Sequence, residues 1–245
     1  MVRSRVLTHA LVGAVVAVCG GFARAEDNAV IKGKVIFKGD TDQKEFKRTR
    51  IDTSKDPNCA KSKDKIGTES VILNKKTDPV TVRNVMVYVK DGIGEQKFPV
   101  TAEPVVLDQH GCHYEPHVIA MMEGQPLTVR NSDDTNHNIH FLPKVNQEMN
   151  FTQPKKGMEK GVALVKEDVF KVKCDVHPWM GAYIAVFNHP FHSVTGDDGT
   201  FEIMGLPPGK YVVEAWHETF GTQTMTVEVA SGETKEADFT FEPGK

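Results

Sequence analysis

Cys174, His177 and Met180 place a thiolate, an imidazole and a thioether within seven residues, in the run Val172-Lys173-Cys174-Asp175-Val176-His177-Pro178-Trp179-Met180-Gly181. Strand-like stretches flank the run, Val169–Lys173 before it and Tyr183–Phe187 after it. A loop that short can wrap all three side chains around one metal ion. The mixture suits copper, whose two oxidation states make opposite demands: Cu(I) favours soft sulfur, and Cu(II) favours nitrogen and a strong thiolate. A trigonal plane needs one more imidazole. His137-Asn138-Ile139-His140-Phe141 offers it, 37 residues before Cys174. Strand alternation puts His137 and Ile139 on one face and His140 on the other, so one of the two histidines can join the site, not both. Zinc also takes Cys and His. It has no use for a thioether, however, and Met180 therefore argues for copper.

Together the two motifs resemble the blue-copper (cupredoxin) family, which sets a His-Asn pair on an early strand and Cys…His…Met on the last loop. The spacing Cys-x-x-His-Pro-x-Met, with His-Asn-x-His-Phe upstream, is similar to that of its amicyanin-type members. The resemblance covers roughly residues 117–188. It implies one type 1 copper ion with His137, Cys174 and His177 as equatorial ligands and Met180 as the axial one. Asn138 would bond across to the ligand loop. A Greek-key β-sandwich is the implied fold. The ring edge of His177 is expected near the surface, where Val176, Pro178 and Trp179 would form an apolar patch for a redox protein partner, a cytochrome or an oxidoreductase.

The N-terminus has the layout of a secretory signal peptide: Arg3 and Arg5, an apolar run from Val6 to Val18, and Ala23-Arg24-Ala25 before Glu26. The run is short for a bilayer span, so the reading is a leader over residues 1–25 and a periplasmic or otherwise exported mature chain. Of four cysteines, Cys19 leaves with the leader. Cys59, Cys112 and Cys174 then meet an oxidising compartment, where thiols pair. If metal holds Cys174, a Cys59–Cys112 disulfide follows. Whole, the chain has 30 basic and 33 acidic residues; without the three leader arginines its formal charge moves from −3 to −6. That balance argues against nucleic acid, whose phosphates need clustered Lys and Arg. No later apolar stretch is long enough to span a membrane.

The mature chain reads as all-β. Short alternating runs recur, among them Val30–Phe37, Thr81–Lys90, Leu127–Asn131, Asn138–Leu142, Tyr211–Trp216 and Glu236–Phe241, separated by turn signals such as Asp91-Gly92, Asp198-Gly199 and Pro207-Pro208-Gly209. Thr41–Ser70 is polar and Lys-rich and is expected to be a loop tied down by Cys59. Residues 104–188 carry the ligand candidates. In residues 189–245, Val194–Phe201 followed by Leu206-Pro207-Pro208-Gly209-Lys210-Tyr211 is similar to the carboxypeptidase-regulatory, transthyretin-like family, which implies a second small β-sandwich. That family opens on a Gly-x-Val strand and a second strand. Here Gly33-Lys34-Val35 and Val85–Val89 supply them far upstream, within residues 26–103. The copper unit is thus expected to be inserted into the small sandwich.

The other histidines carry weaker signals. His110, His113 and His117 crowd around Cys112; solvated loop residues are the preferred reading, a second metal site the alternative. Asp197-Asp198-Gly199 lacks the length and bidentate Glu of a calcium loop and reads as a hairpin turn. The function expected is a one-electron carrier and not an enzyme, since no paired His-x-His motifs supply a copper cluster. The rival is a copper-binding scaffold, store or sensor.

Overall fold

Alternation explains the first strand. In Ala29–Phe37, the side chains of Ala29, Ile31, Val35 and Phe37 point into a core while Lys32 and Lys34 face water. The strand cannot bury that face alone, and the partners it finds are distant in sequence. It pairs antiparallel with Thr200–Leu206 and parallel with both Thr234–Glu236 and Phe239–Phe241. The computed structural model describes residues 28–61 and 66–243; the expected leader, with Cys19, lies outside the described residues.

Two all-β sandwiches result. One is discontinuous. Its first sheet runs Thr200–Leu206, Ala29–Phe37, Thr81–Val82, Leu73–Asn74, and its second runs His192–Val194, Met86–Asp91, Gly209–His217, Gly221–Val229. Ile31, Val35, Val87, Val89, Phe201, Val213 and Phe241 fill the space between them. The other sandwich is continuous in sequence. Its five-stranded sheet runs Met149–Gln153, His137–Leu142, Asp168–Lys173, Gly181–Phe187, Val118–Met122, and its four-stranded sheet runs Met158–Ala163, Pro126–Asn131, Val105–His110, His113–Glu115. Leu107, Tyr114, Leu127, Ile139, Phe141 and Ile184 are its core. Met86, Val118, Ala185 and Phe187 join the two.

The strand expected over Thr81–Lys90 is two strands in different sheets. Asn84 has φ of 62°, and at that kink the chain crosses from one layer of the sandwich to the other. Asparagine tolerates this left-handed backbone better than most residues. Thr195 secures the crossing: its carbonyl accepts from Asn84 N–H at 3.1 Å and its hydroxyl oxygen from Val85 N–H at 2.9 Å. Glu236–Phe241 likewise divides, at Ala237. The segment read as a loop over Thr41–Ser70 contains a short 3-10 turn, Lys44–Phe46, and a single helical turn, Pro57–Lys61. Phe46 anchors it between the rings of Phe37 and Phe220.

Two histidines in the discontinuous sandwich are held neutral. His217 is fully buried, stacks on Phe220, and accepts the backbone N–H of Thr219 through Nδ1 at 3.2 Å. His192 stacks on Phe187. Burial, more than any neighbouring charge, pushes each imidazole down to about 4. The unfolded chain therefore binds more protons than the folded one between about 6.5 and 4, and stability is lost as pH falls through that window. Denaturant midpoints measured from pH 7 to pH 4 should decline steadily. Replacing His217 and His192 together by Gln should flatten that limb; an equally steep limb in the double variant would assign it to other groups.

Candidate metal centre

Strand His137–Leu142 sits inside the five-stranded sheet, with Met149–Gln153 on one side and Asp168–Lys173 on the other. His137, Ile139 and Phe141 face the core, and His137 is completely buried. His140 turns outward, where its nitrogens meet Asp175 and Glu148 at 3.0 and 2.9 Å. Alternation has thus separated the two histidines, and only His137 faces the other donors.

Those donors come from the loop between Asp168–Lys173 and Gly181–Phe187. The loop is closed on itself. Met180 N–H bonds to His177 O at 2.9 Å, Cys174 N–H to Met180 O at 3.4 Å, and His177 N–H to the Cys174 sulfur at 3.3 Å. Asn138 ties this loop to the histidine strand by accepting Asp175 N–H at 3.0 Å, while its amide donates to Asn150 Oδ1. As a result His137 Nδ1 lies 3.0 Å from His177 Nδ1, and Cys174 Sγ lies 3.9 Å from His177 Nδ1. The three ligand atoms are within 4.8 Å of one another, and all three residues are buried. Met180 is buried in the same core cluster as Cys174.

Three supporting residues were not legible as such. The Tyr114 hydroxyl reaches the carbonyls of both Asn138 and Lys173, the neighbours of His137 and Cys174. Asp133 Oδ2 lies 2.8 Å from His137 Nε2, and Asp56 Oδ2 lies 3.1 Å from His177 Nε2. The Tyr114 signal was an aromatic in a three-residue strand, too short to register as alternation. Asp56 and Asp133 gave no signal, since any loop aspartate looks the same before folding.

The electrostatics favour ionised donors. Burial raises the Cys174 thiol, but hydrogen bonds from both imidazoles, from His177 N–H and from Asn138 outweigh it and bring the thiol down to about 6. Burial lowers the His137 imidazole, and its bonds to Asp133 and Cys174 raise it above the ordinary value. Burial likewise opposes ionisation of Asp56, yet the Cys59 N–H, Thr135 and His177 hold it at about 2. An ionised carboxylate only accepts, so the imidazole nitrogen facing it carries the proton. Both Nε2 atoms are thereby assigned as donors, which leaves the two Nδ1 atoms facing each other at 3.0 Å, with the Cys174 sulfur 3.9 Å from that of His177. Such an inward set fits a soft or borderline cation, and with Met180 alongside it fits copper.

The expectation that His177 faces solvent is corrected. Its ring is buried, with Asp56 Oδ2 on its outer nitrogen, the Cys59 sulfur 3.9 Å away and the Trp179 ring at 5.0 Å. The cause is the Cys59–Cys112 disulfide, which the structure contains as expected, with a Cα–Cα distance of 5.7 Å. It pulls the Lys-rich segment over the ligand loop, and Trp179 Nε1 donates to Cys112 O beneath it. Val176 and Pro178 are exposed and Trp179 is half-buried, so the expected apolar side chains do flank the loop, but the His177 ring edge is not part of that surface. Cys174, Trp179 and Met180 instead border a groove whose other wall includes Ile51, Ile66 and His113.

Among the described residues, His110, His113 and His117 belong to no group of His, Cys, Asp and Glu that could hold a metal ion. His110 is exposed beside Glu115, and His117 is held between Glu218 and the carbonyl of Gly181. Asp198 closes a turn by accepting Thr200 N–H, with Gly199 at φ of 71°.

Residues 175–242 match the family model of the carboxypeptidase regulatory-like domain. The match begins inside the ligand loop, although Gly181–Phe187 pairs within the continuous sandwich and the discontinuous one takes Ala29–Phe37 and Met86–Asp91 instead. No curated protein matches the chain. Among solved structures, a copper-containing nitrite reductase (NirK) from Thermus scotoductus SA-01 is similar over 38% of this chain and 25% of its own, at 22% identity and a TM-score of 0.31. This chain thus spans about a quarter of that enzyme. A Cu(I) form of an amicyanin variant is similar over 41% of this chain and 97% of its own, at 22% identity and the same TM-score of 0.31. A second, reduced amicyanin variant gives 23% identity with the same coverage and score. Among the described residues, no helix is long and apolar enough to cross a membrane.

The disulfide joins residues 53 apart, for which chain entropy gives about 4 kcal/mol of stabilisation. A Cys59→Ser/Cys112→Ser variant should lose up to that amount in chemical denaturation of the metal-free protein. A loss below about 1 kcal/mol would mean that the segment stays in place without its staple.

Proposed function

We propose that this chain is an exported copper protein that binds one copper ion through His137, Cys174 and His177, with Met180 as a weak axial ligand, and passes single electrons. The observation that carries the reading is the convergence of two imidazole Nδ1 atoms and one thiol within 4.8 Å in a buried pocket built from one strand and one closed loop. When bound there, copper would supply a one-electron couple that the side chains alone lack. The residues do the rest. The closed loop fixes Cys174, His177 and Met180 relative to one another, so that ligands need not move between oxidation states. Tyr114 and Asn138 lock that loop to the histidine strand. The Asp56 segment and Trp179 exclude water from His177. Export is read from the leader pattern, and the Cys59–Cys112 disulfide is consistent with an oxidising compartment.

A redox protein remains the proposed partner, with no nucleic acid and no enzymatic reaction of this chain's own. Because His177 is covered, the partner is proposed to dock beside Trp179 and Val176, along the groove, and not on the ring edge itself. The same cover favours a second reading, a copper store or sensor, in which the ion is enclosed and electron exchange is slow.

Optical titration with Cu(II) tests the centre. The protein should turn blue through thiolate-to-Cu(II) charge transfer and bleach reversibly with ascorbate. Cys174→Ser offers a hard oxygen and should abolish the band even if copper binds; a blue Cys174→Ser protein would refute the site. Met180→Leu should stay blue with a raised potential, because losing an axial donor destabilises Cu(II) more than Cu(I). An unchanged potential in voltammetry would remove the axial role alone. Slow self-exchange of the blue protein would favour the store over the carrier.

A further inference from the structure

Both histidines of the centre are gripped from behind in the same way. His137 Nε2 faces Asp133 Oδ2 at 2.8 Å, and His177 Nε2 faces Asp56 Oδ2 at 3.1 Å. Neither aspartate is a loose surface group. Asp133 accepts the N–H of Gly111 and of Cys112, each at 2.8 Å. Asp56 accepts the N–H of Asn58 at 2.7 Å, the N–H of Cys59 at 3.0 Å and the Thr135 hydroxyl at 2.8 Å. Each carboxylate is therefore fixed by the backbone of one half of the disulfide, and the Thr135 bond joins the two segments. Asn58 adds a second tie, its amide donating to Asp134 O at 2.7 Å.

We infer that Asp56 and Asp133 are a matched pair of positioning residues, which hold both imidazoles in the Nε2–H tautomer and place two fixed negative charges behind the donors so that Cu(II) is favoured over Cu(I). The inference rests on the copper reading above. A carboxylate behind a ligating imidazole orients the ring and makes its other nitrogen a stronger donor. Its charge also attracts a dication more than a monocation, and burial limits the screening of that difference. Two such pairs act on the same ion. The disulfide has a corresponding role, since it keeps both carboxylates aimed.

The test uses the full mature chain. Asp56→Asn keeps an oxygen for both of its backbone donors and Asp133→Asn for one of its two, and each removes the charge. Each should weaken Cu(II) binding by about 10–100-fold and Cu(I) binding by less, so that the reduction potential rises, and rises further in the double variant. Asp197→Asn, an exposed aspartate paired with Arg83 in the other sandwich, removes the same charge and should leave the potential where it was. Equal weakening of Cu(I) and Cu(II), with an unmoved potential, would overturn the inference while the blue wild type keeps the copper reading. A potential shift as large in Asp197→Asn would also overturn it. A wild-type protein that binds no copper would instead sink the copper reading, and this inference with it. Should Asp133→Asn fail to fold, Asp56→Asn carries the comparison. Nitrogen-15 spectra of the imidazoles in the metal-free wild type give a readout that needs no variant. Protons on Nε2 of both His137 and His177 are expected, and a bare Nε2 on either ring would overturn the tautomer assignment.

Discussion

Two imidazole nitrogens 3.0 Å apart, with a thiol sulfur beside them and all three residues buried, form a set of donors that repel one another until a proton or a cation lies between them. Unpaired polar atoms in a dry interior are costly, and side chains free to turn would turn away. The molecule can keep the arrangement only by fixing each ring from its far side and each backbone segment from its flank. Most of the polar architecture described above serves that constraint: the carboxylates behind the rings, Tyr114 across two strands, Asn138 across to the loop, and the disulfide that holds the covering segment down.

The two sandwiches divide the work unequally. The continuous one contributes every proposed ligand, and its sheet supplies rigidity where a loop alone would leave the donors mobile. The discontinuous one contributes none. It borders the groove beside the ligand loop through Glu218, whose carboxylate engages His117. The segment that carries Asp56 and Cys59 belongs in sequence to the discontinuous sandwich and in space to the proposed metal centre, and it adds a further link to the apolar contact of Met86, Val118, Ala185 and Phe187.

Much of this was legible in the sequence. The residues proposed as ligands stood out because their types are uncommon and their spacing is short, and strand alternation alone separated His137 from His140. The pairing of Cys59 with Cys112 followed from an odd count. The burial of His177 did not, because it depends on where a polar, Lys-rich segment lies in space, and composition says nothing about that. The carboxylates were illegible for the same reason: Asp56 and His177 are 121 positions apart, and no local pattern connects them. Thr81–Lys90 misled because strand-favouring residues flank Arg83-Asn84 on both sides, while the left-handed backbone at Asn84 sends the two halves into different sheets. Met149–Gln153 went unread as a strand because its exposed face is polar and only its place at the edge of the sheet makes it one.

Ala29–Phe37 finds its antiparallel partner at Thr200–Leu206 and its parallel partners after residue 233. A chain made from its N-terminus therefore carries this apolar strand with only its bridge to Thr81 available through most of its synthesis. The continuous sandwich, by contrast, has all its strands between Val105 and Phe187 and is complete long before the other can close. Pairings of such long separation are slow to form. The order of assembly is thus written into the connectivity: the proposed copper pocket forms first, and the sandwich that brackets it in sequence closes last, with its opening strand left waiting and in need of protection from other chains.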